Sequence, residues 1–139
     1  MQRIPIVERP HWRDRAKELG FTFHSPNGDT YWNESAYYGF SLAEIENDIE
    51  DPSKDLDDLC RLAVDRVVRN DRLLAQLGMP QSAFEIIRTS WKRGDPSIYG
   101  RFDFAYDGHG PAKLLEYNAD TPTALYEAAA FQWFWLEDQ

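Results

Sequence analysis

The chain has 139 residues, 42% of them hydrophobic, 14% aromatic and 28% charged, a composition that excludes a disordered tail and supports one folded domain over 1–139 with a single core. A formal net charge of −9 argues against a nucleic-acid backbone as partner, because phosphate binding needs clustered Lys and Arg, and suits a cationic small molecule or a metal ion. No apolar run approaches the roughly 20 residues needed to span a bilayer, and the start Met1-Gln-Arg-Ile-Pro-Ile-Val-Glu8 lacks a signal-peptide core, so no membrane partner and a cytoplasmic location are expected.

Taken in chain order, residues 10–19 predict a short helix that stops at Gly20. Phe21 to Trp32 reads as a hairpin, with aromatic and β-branched flanks around a Pro26-Asn-Gly-Asp29 turn, and its aromatics are expected in packing rather than in a ligand cleft. Tyr37-Tyr-Gly-Phe40 is extended in character. Ser41-Leu-Ala-Glu44 is a capping box that opens a helix. From Glu44 to Asp58 the chain carries eight acidic residues and one lysine, read as a solvated face, with Asp51-Pro52 separating two helices.

Leu56, Leu59, Cys60, Ala63, Val64, Val67 and Val68 recur at three- and four-residue steps, the stripe of an amphipathic helix reaching about Leu77 and stopped by Gly78-Met-Pro80. Cys60 lies on that stripe and is the chain's one cysteine. It is expected as a small core residue, and no intrachain disulfide is possible. His11, His24 and His109 show no metal-ligand spacing and are expected at the surface or partly buried. A further helix covers about Gln81 to Lys92, with Phe84, Ile87 and Trp91 inward, and Gly94-Asp-Pro96 closes it.

Two strands are predicted at 99–106 and 113–118. Strand alternation puts Arg101 and Asp103 on one face and Phe102, Phe104 and Tyr106 on the other, while Glu116 and Asn118 oppose Leu115 and Tyr117. An even loop, Asp107 to Gly110 or Asp107 to Ala112, brings the two polar sets to one side of the sheet; an odd loop separates them, and the even register is expected. Thr121-Pro122 then suits an N-cap with proline at the first helical position, for a helix through Ala124, Ala128 and Phe131 to Trp135. At its end Trp133, Phe134 and Trp135 have little left to pack against, so a covering layer outside these residues is expected.

The fold class expected is therefore α+β, with helices packed on antiparallel hairpins or a mixed sheet. Asp103, Glu116 and Asn118 offer hard oxygen ligands of the kind magnesium accepts beside waters or phosphate oxygens. Arg101 supplies a planar cation for a carboxylate or phosphate, and a helix start at Thr121 would add free amides and a positive dipole end. Spacing alone leaves two readings open: a metal and anion site, or a wet cluster of surface ion pairs. No G-x-x-x-x-G-K-[ST] phosphate loop occurs.

The stretch Tyr99 to Asp138, with its R-x-D strand, L-L-E-Y-N-A-D strand end, T-P-T and Ala-rich helix ending Q-W-x-W-L-E-D, resembles the start of the synthetase domain of the glutathionylspermidine synthase family. The preceding ninety or so residues resemble that family's N-terminal portion through weaker signatures. The resemblance implies an ATP-grasp carboxylate–amine ligase: ATP phosphorylates the glycine carboxylate of glutathione, a spermidine amine attacks the acyl phosphate, and magnesium bridges the phosphates. By motif, Asp103, Glu116 and Asn118 would bind magnesium, Arg101 would hold the reacting carboxylate or transferring phosphate, Asp103 would share the cofactor contacts, and Thr121 would contact glutathione. Family members run to several hundred residues with their ATP-clamping lobes further along. This chain is therefore expected to be an N-terminal fragment, inactive alone. Two other functions stand beside that one: a non-catalytic interaction module that kept the fold, and a small magnesium-dependent hydrolase, for which no nucleophile or general base is evident.

Overall fold

The computed structural model describes residues 1–139 as an α+β arrangement with two small antiparallel sheets. The first sheet pairs β1 (Gln2–Pro5) with β2 (Ala36–Gly39), Arg3 opposite Tyr38 and Ile4 opposite Tyr37. β2 is the extended segment expected from sequence. β1 was not foreseen, because four residues ending in proline carry little strand signal, and proline fits only an edge. Between the two strands lies α1 (Trp12–Glu18), followed by Gly20 at φ 81.

The expected hairpin at 21–32 does not form. Pro26–Gly28 makes a single tight turn, Asn27 sits at φ 53, and the amides of Tyr31 and Trp32 both donate to the His24 carbonyl at 3.1 and 3.0 Å. The segment is a compact loop whose aromatics do pack. Phe21 joins Trp12, Ala16 and Phe131 in the buried cluster, with Trp32 against it. His24 is buried there too, edge-on to Trp12 at 5.3 Å, deeper than its sequence context suggested.

The Ser41 capping box is present: the Ser41 amide donates to Glu44 Oε2 at 2.7 Å and the Glu44 amide to Ser41 Oγ at 3.2 Å. Pro52 does not divide the helix that follows. A π-helical turn over Glu44–Glu50 runs straight into α2 (Asp51–Val68). Pro52 stands in the first turn of α2, where its missing N–H costs little. The nearby Asp48 carbonyl accepts the Ala112 amide at 2.7 Å, a docking point for the hairpin.

The long helix expected to reach Leu77 ends at Val68. Asn70 is extended, and its side chain accepts from the amides of Arg72 and Leu73 to start α3 (Asp71–Gln76). Of the predicted stripe, Leu56, Cys60, Val67 and Val68 face inward, whereas Leu59, Ala63 and Val64 are exposed. α4 (Phe84–Arg93) matches expectation: Phe84 is buried, Trp91 donates its indole N–H to Asp65 at 2.9 Å, and Gly94 closes it at φ 65.

β3 (Arg101–Ala105) and β4 (Lys113–Asn118) form the second sheet. The last helix is π-helical over Glu127–Phe131 and continues as α5 (Gln132–Glu137). Its aromatics are better packed than expected: Phe134 lies on the Trp12 cluster and Trp135 meets Tyr37 at 5.4 Å, while Trp133 is 56% exposed on an open apolar groove of about 1060 Å3. No helix is long and apolar enough to cross a membrane.

Only 11 of the 139 residues are buried, so polar links carry much of the tertiary structure. Arg9 is the main one. It binds Glu34 through two nitrogens at 2.9 and 2.5 Å, donates to Asp138 at 2.5 Å, and lies 5.7 Å from the Phe131 ring centre. Trp32 also donates to Glu34 at 3.0 Å. Glu34 holds the Arg9 guanidinium charged, above the ordinary arginine range. With the Glu34 side chain fully enclosed, Glu34→Gln leaves the buried cation with only the half-exposed Asp138 as counter-charge and is expected to cost about 3 kcal/mol by urea denaturation. The pairwise swap Arg9→Met with Glu34→Leu is expected to cost less than Glu34→Gln alone; equal or greater loss would show that the charges themselves are required.

A second pair docks the hairpin on α2. Tyr106 donates to Asp48 Oδ2 at 2.7 Å and stacks on Phe40 at 6.2 Å, and Tyr117 donates to Asp57 at 3.0 Å. The bond to Asp48 pushes the Tyr106 hydroxyl up to about 12. A tyrosine raised in the folded state adds stability that is complete below the unfolded value near 10 and is lost as pH rises through the folded one. Absorbance titration should therefore show a late-ionising tyrosine near pH 12 that disappears in Tyr106→Phe, with stability falling across pH 10–12 in the wild type and less steeply in the variant.

Candidate functional site

The site is built on the β3–β4 hairpin, and its register decides which side chains meet. Arg101 lies opposite Asn118, Phe102 opposite Tyr117 and Asp103 opposite Glu116; beyond them Phe104 pairs with Leu114 and Ala105 with Lys113. Cross-strand partners share a face, so Arg101, Asp103, Glu116 and Asn118 stand together as expected. The aromatic side is equally clear, with Phe102 at 5.6 Å from Phe104 and 4.1 Å from Tyr117. Gly100 is required here, since a Cβ on it would come within 2.5 Å of the Tyr117 ring.

The route to that register differs from the one expected. The connection from Tyr106 to Ala112 holds an odd number of residues, which by parity alone would set Arg101 opposite Tyr117. A β-bulge between the Asp103 and Phe104 positions leaves Leu115 unpaired and restores the alignment. Leu115 is 71% exposed and packs on nothing that would demand it. The bulge also moves Lys113 onto the polar face through its pairing with Ala105, whereas simple alternation groups it with Leu115 and Tyr117.

Within the cluster Arg101 grips Asp103 with two nitrogens, Nε at 2.7 Å and Nη2 at 3.0 Å, and its Nη1 donates to the Thr123 carbonyl and hydroxyl at 3.1 and 3.2 Å. The guanidinium holds the Asp103 carboxyl below the usual carboxylate range, and Asp103 in turn raises Arg101, with Glu116 adding to the effect. Glu116 is exposed. Asn118 Oδ1 accepts from the amides of Asp120 and Thr121 at 3.2 and 3.1 Å, an Asx turn at the strand end.

The helix does not begin at Thr121. Residues 122–124 are irregular and helical structure starts at Leu125, after Ala124 turns through φ 68. The Thr121 amide is already taken by Asn118, so the expected positive helix end beside Asn118 is absent. The cause is local: the asparagine side chain competes for the very amides a helix start would leave open. Thr123, not Thr121, is the residue of the T-P-T run that contacts Arg101, and Tyr99 caps the run by donating to the Pro122 carbonyl at 2.5 Å. Thr123 carried no sequence signal separable from Thr121.

No three His, Cys, Asp or Glu side chains stand close enough to hold a metal by themselves. The carboxylates still suit a hard cation that keeps waters or ligand oxygens: Asp103 and Glu116 face each other across the strands, while the Asn118 amide oxygen, two pairs along, already accepts two backbone amides. The Asp103 oxygens face the Arg101 fork, so the cluster can act as an anion site through Arg101 or as a cation site through Glu116 and Asp103, with the half-buried ion pair as its resting state.

Deleting Leu115 removes the unpaired residue without changing the pairs on either side. Cross-strand nuclear Overhauser contacts between Arg101 and Asn118, and between Asp103 and Glu116, should survive in that variant, with a straighter β4. Their replacement by contacts shifted one residue along would show that the bulge does not set the register.

A model of the family described as "Glutathionylspermidine synthase preATP-grasp" matches residues 3–139. A putative acid–amine ligase of Haemophilus influenzae is 41% identical over 142 residues, covering 99% of this chain and 35% of that protein. The bifunctional glutathionylspermidine synthetase/amidase of Escherichia coli is 30% identical over 128 residues, covering 91% of this chain and 20% of that enzyme. The trypanothione synthetase of Crithidia fasciculata is 37% identical over 76 residues, 54% of this chain and 12% of that enzyme. The chain thus spans about a third or less of the length of these relatives.

Proposed function

The chain belongs to the glutathionylspermidine synthase preATP-grasp family, and on that premise we propose that it forms the carboxylate- and metal-binding corner of an ATP-dependent carboxylate–amine ligase acting in the cytoplasm. The observation that carries the reading is the hairpin register, which gathers Arg101, Asp103, Glu116 and Asn118 on one face. It is supported by relatives whose names are those of acid–amine, glutathionylspermidine and trypanothione ligases.

In the proposed reaction the γ-phosphoryl group of ATP passes to a glutathione-like glycine carboxylate with release of ADP, a polyamine-like amine then attacks the acyl phosphate and loses a proton, and an amide and inorganic phosphate result. The chain's own residues bind and orient. Arg101 presents a planar fork to the reacting carboxylate or the transferring phosphate, and its hold on the Thr123 carbonyl and hydroxyl keeps that fork at the loop. Thr121, beside the Asx turn, is assigned to contact the glutathione-like substrate. Asp103, Glu116 and Asn118 would hold magnesium, whose donor preference they meet. When bound, that ion would neutralise phosphate charge. These 139 residues span about a third or less of the length of the relatives they match, and by themselves they are proposed to be inactive.

In the full-length gene product, Asp103→Ala and Glu116→Ala are each expected to lower ATP-dependent amide formation by about 100-fold or more, measured as phosphate release coupled to the amine. Chelation of divalent cations should have the same effect. Full activity in both variants would remove the site assignment.

A further inference from the structure

The loop 119–124 carries Thr121 and Thr123, and its near end is tied to the hairpin. Asn118 Oδ1 takes the Asp120 and Thr121 amides, Tyr99 bonds the Pro122 carbonyl, and Arg101 bonds Thr123. None of these ties reaches past Ala124, where the chain turns through φ 68 into the helix. An alanine in that region is disfavoured by about 1–2 kcal/mol, so something beyond it has to hold the turn.

That hold comes from the N-terminal half through two hydroxyls: Tyr126 donates to the Leu19 carbonyl with its ring 6.0 Å from Phe21, and Tyr31 donates to Glu127 Oε1 at 2.9 Å across 96 residues of sequence. The Tyr31 ring is fixed edge-on by Phe23 at 5.4 Å and Phe21 at 6.4 Å, and Phe21 belongs to the buried cluster. Glu127 lies in the first turn after Ala124, so its position fixes the exit of the loop. The bond to Glu127 raises the Tyr31 hydroxyl above its ordinary range, and the Arg101 cation acts on it in the opposite direction.

We propose that Tyr31 and Glu127 are positioning residues for the site: through them the aromatic body sets where Thr123 stands, and Thr123 sets the direction of the Arg101 fork. The kinetic part of this inference rests on the ligase reading given above; the geometric part does not. A tyrosine with a merely structural role, such as Tyr106 and Tyr117 have on their aspartates, would on its loss affect every kinetic constant through stability alone.

The test uses the full-length gene product with Tyr31→Phe, Glu127→Ala and Glu127→Gln, the last keeping an acceptor for the tyrosine. Backbone amide exchange over 119–126 is expected to speed up in the first two variants and to stay near wild type in Glu127→Gln. KM for the carboxylate substrate, with glutathione as the probe, should rise about five- to tenfold in the same two, with KM for ATP unchanged and rescue by Glu127→Gln, the effect of losing one hydrogen bond. Unchanged exchange in Tyr31→Phe overturns the proposal. So does a fall in melting temperature that lowers all constants together and is not rescued by Glu127→Gln. If the wild-type protein forms no amide, the ligase reading fails and the exchange experiment alone decides the positioning role.

Discussion

The buried pair of Arg9 and Glu34 is the constraint on which the body of this protein depends. Three stretches of chain far apart in sequence end at it: the segment after β1, the loop before β2, and the last turn of the final helix through Asp138 and the Phe134 carbonyl. A buried charge pair is a poor source of net stability, because desolvation offsets the attraction. What it supplies is direction. Two parallel hydrogen bonds fix one guanidinium plane, and the Trp12, Phe21 and Phe131 cluster packs beside it in one arrangement. A core of so few buried residues has little jigsaw complementarity of its own to choose between packings.

The hairpin is held by different chemistry. Two tyrosines reach from it to aspartates on the helix layer, and the Asp48 carbonyl takes the Ala112 amide. The acidic run from Glu44 to Asp58 is therefore more than a solvated face. Asp48 and Asp57 are acceptors, and the helix runs on through the proline expected to divide it. The hairpin docks by hydrogen bonds at defined points, and its polar face is left open for the Arg101 cluster.

Features read from a single element were legible. The capping box at Ser41, the glycine stops, α4 and the alternation of Arg101 with Asp103 all rest on contacts within a few residues, and all are present. What was not legible depends on competition between distant partners. Asn70 cuts the long amphipathic stripe because its side chain bonds two amides, an outcome that the spacing of Leu59 and Val64 cannot reveal. The loop at 21–32 has every hairpin residue yet folds onto the Trp12 cluster, where burying Phe21 outweighs a two-stranded ladder that would be marginal alone. The grouping of the four polar residues was anticipated for a reason that does not hold. Parity of the connection predicts their separation, and an unpaired leucine corrects it.

That correction bears on how such a site can change sequence without being lost. A hairpin with one bulge has two places to absorb an inserted or deleted residue: the connection, where length is tolerated, and the bulge, where parity is restored. The Arg101 to Asn118 face thus depends on the sum of the two and not on either alone. The resting geometry adds a further consequence. Arg101 and Asp103 satisfy each other at a half-buried position, so neither is stranded when the face is empty, and because solvent reaches and partly screens the pair, a ligand with its own charge can take one partner without first breaking a fully buried bond. Thr123 keeps the guanidinium aimed while its carboxylate partner is exchanged. The polar face is pre-formed in direction and loose in pairing, the combination that binding a charged substrate at low reorganisation cost requires.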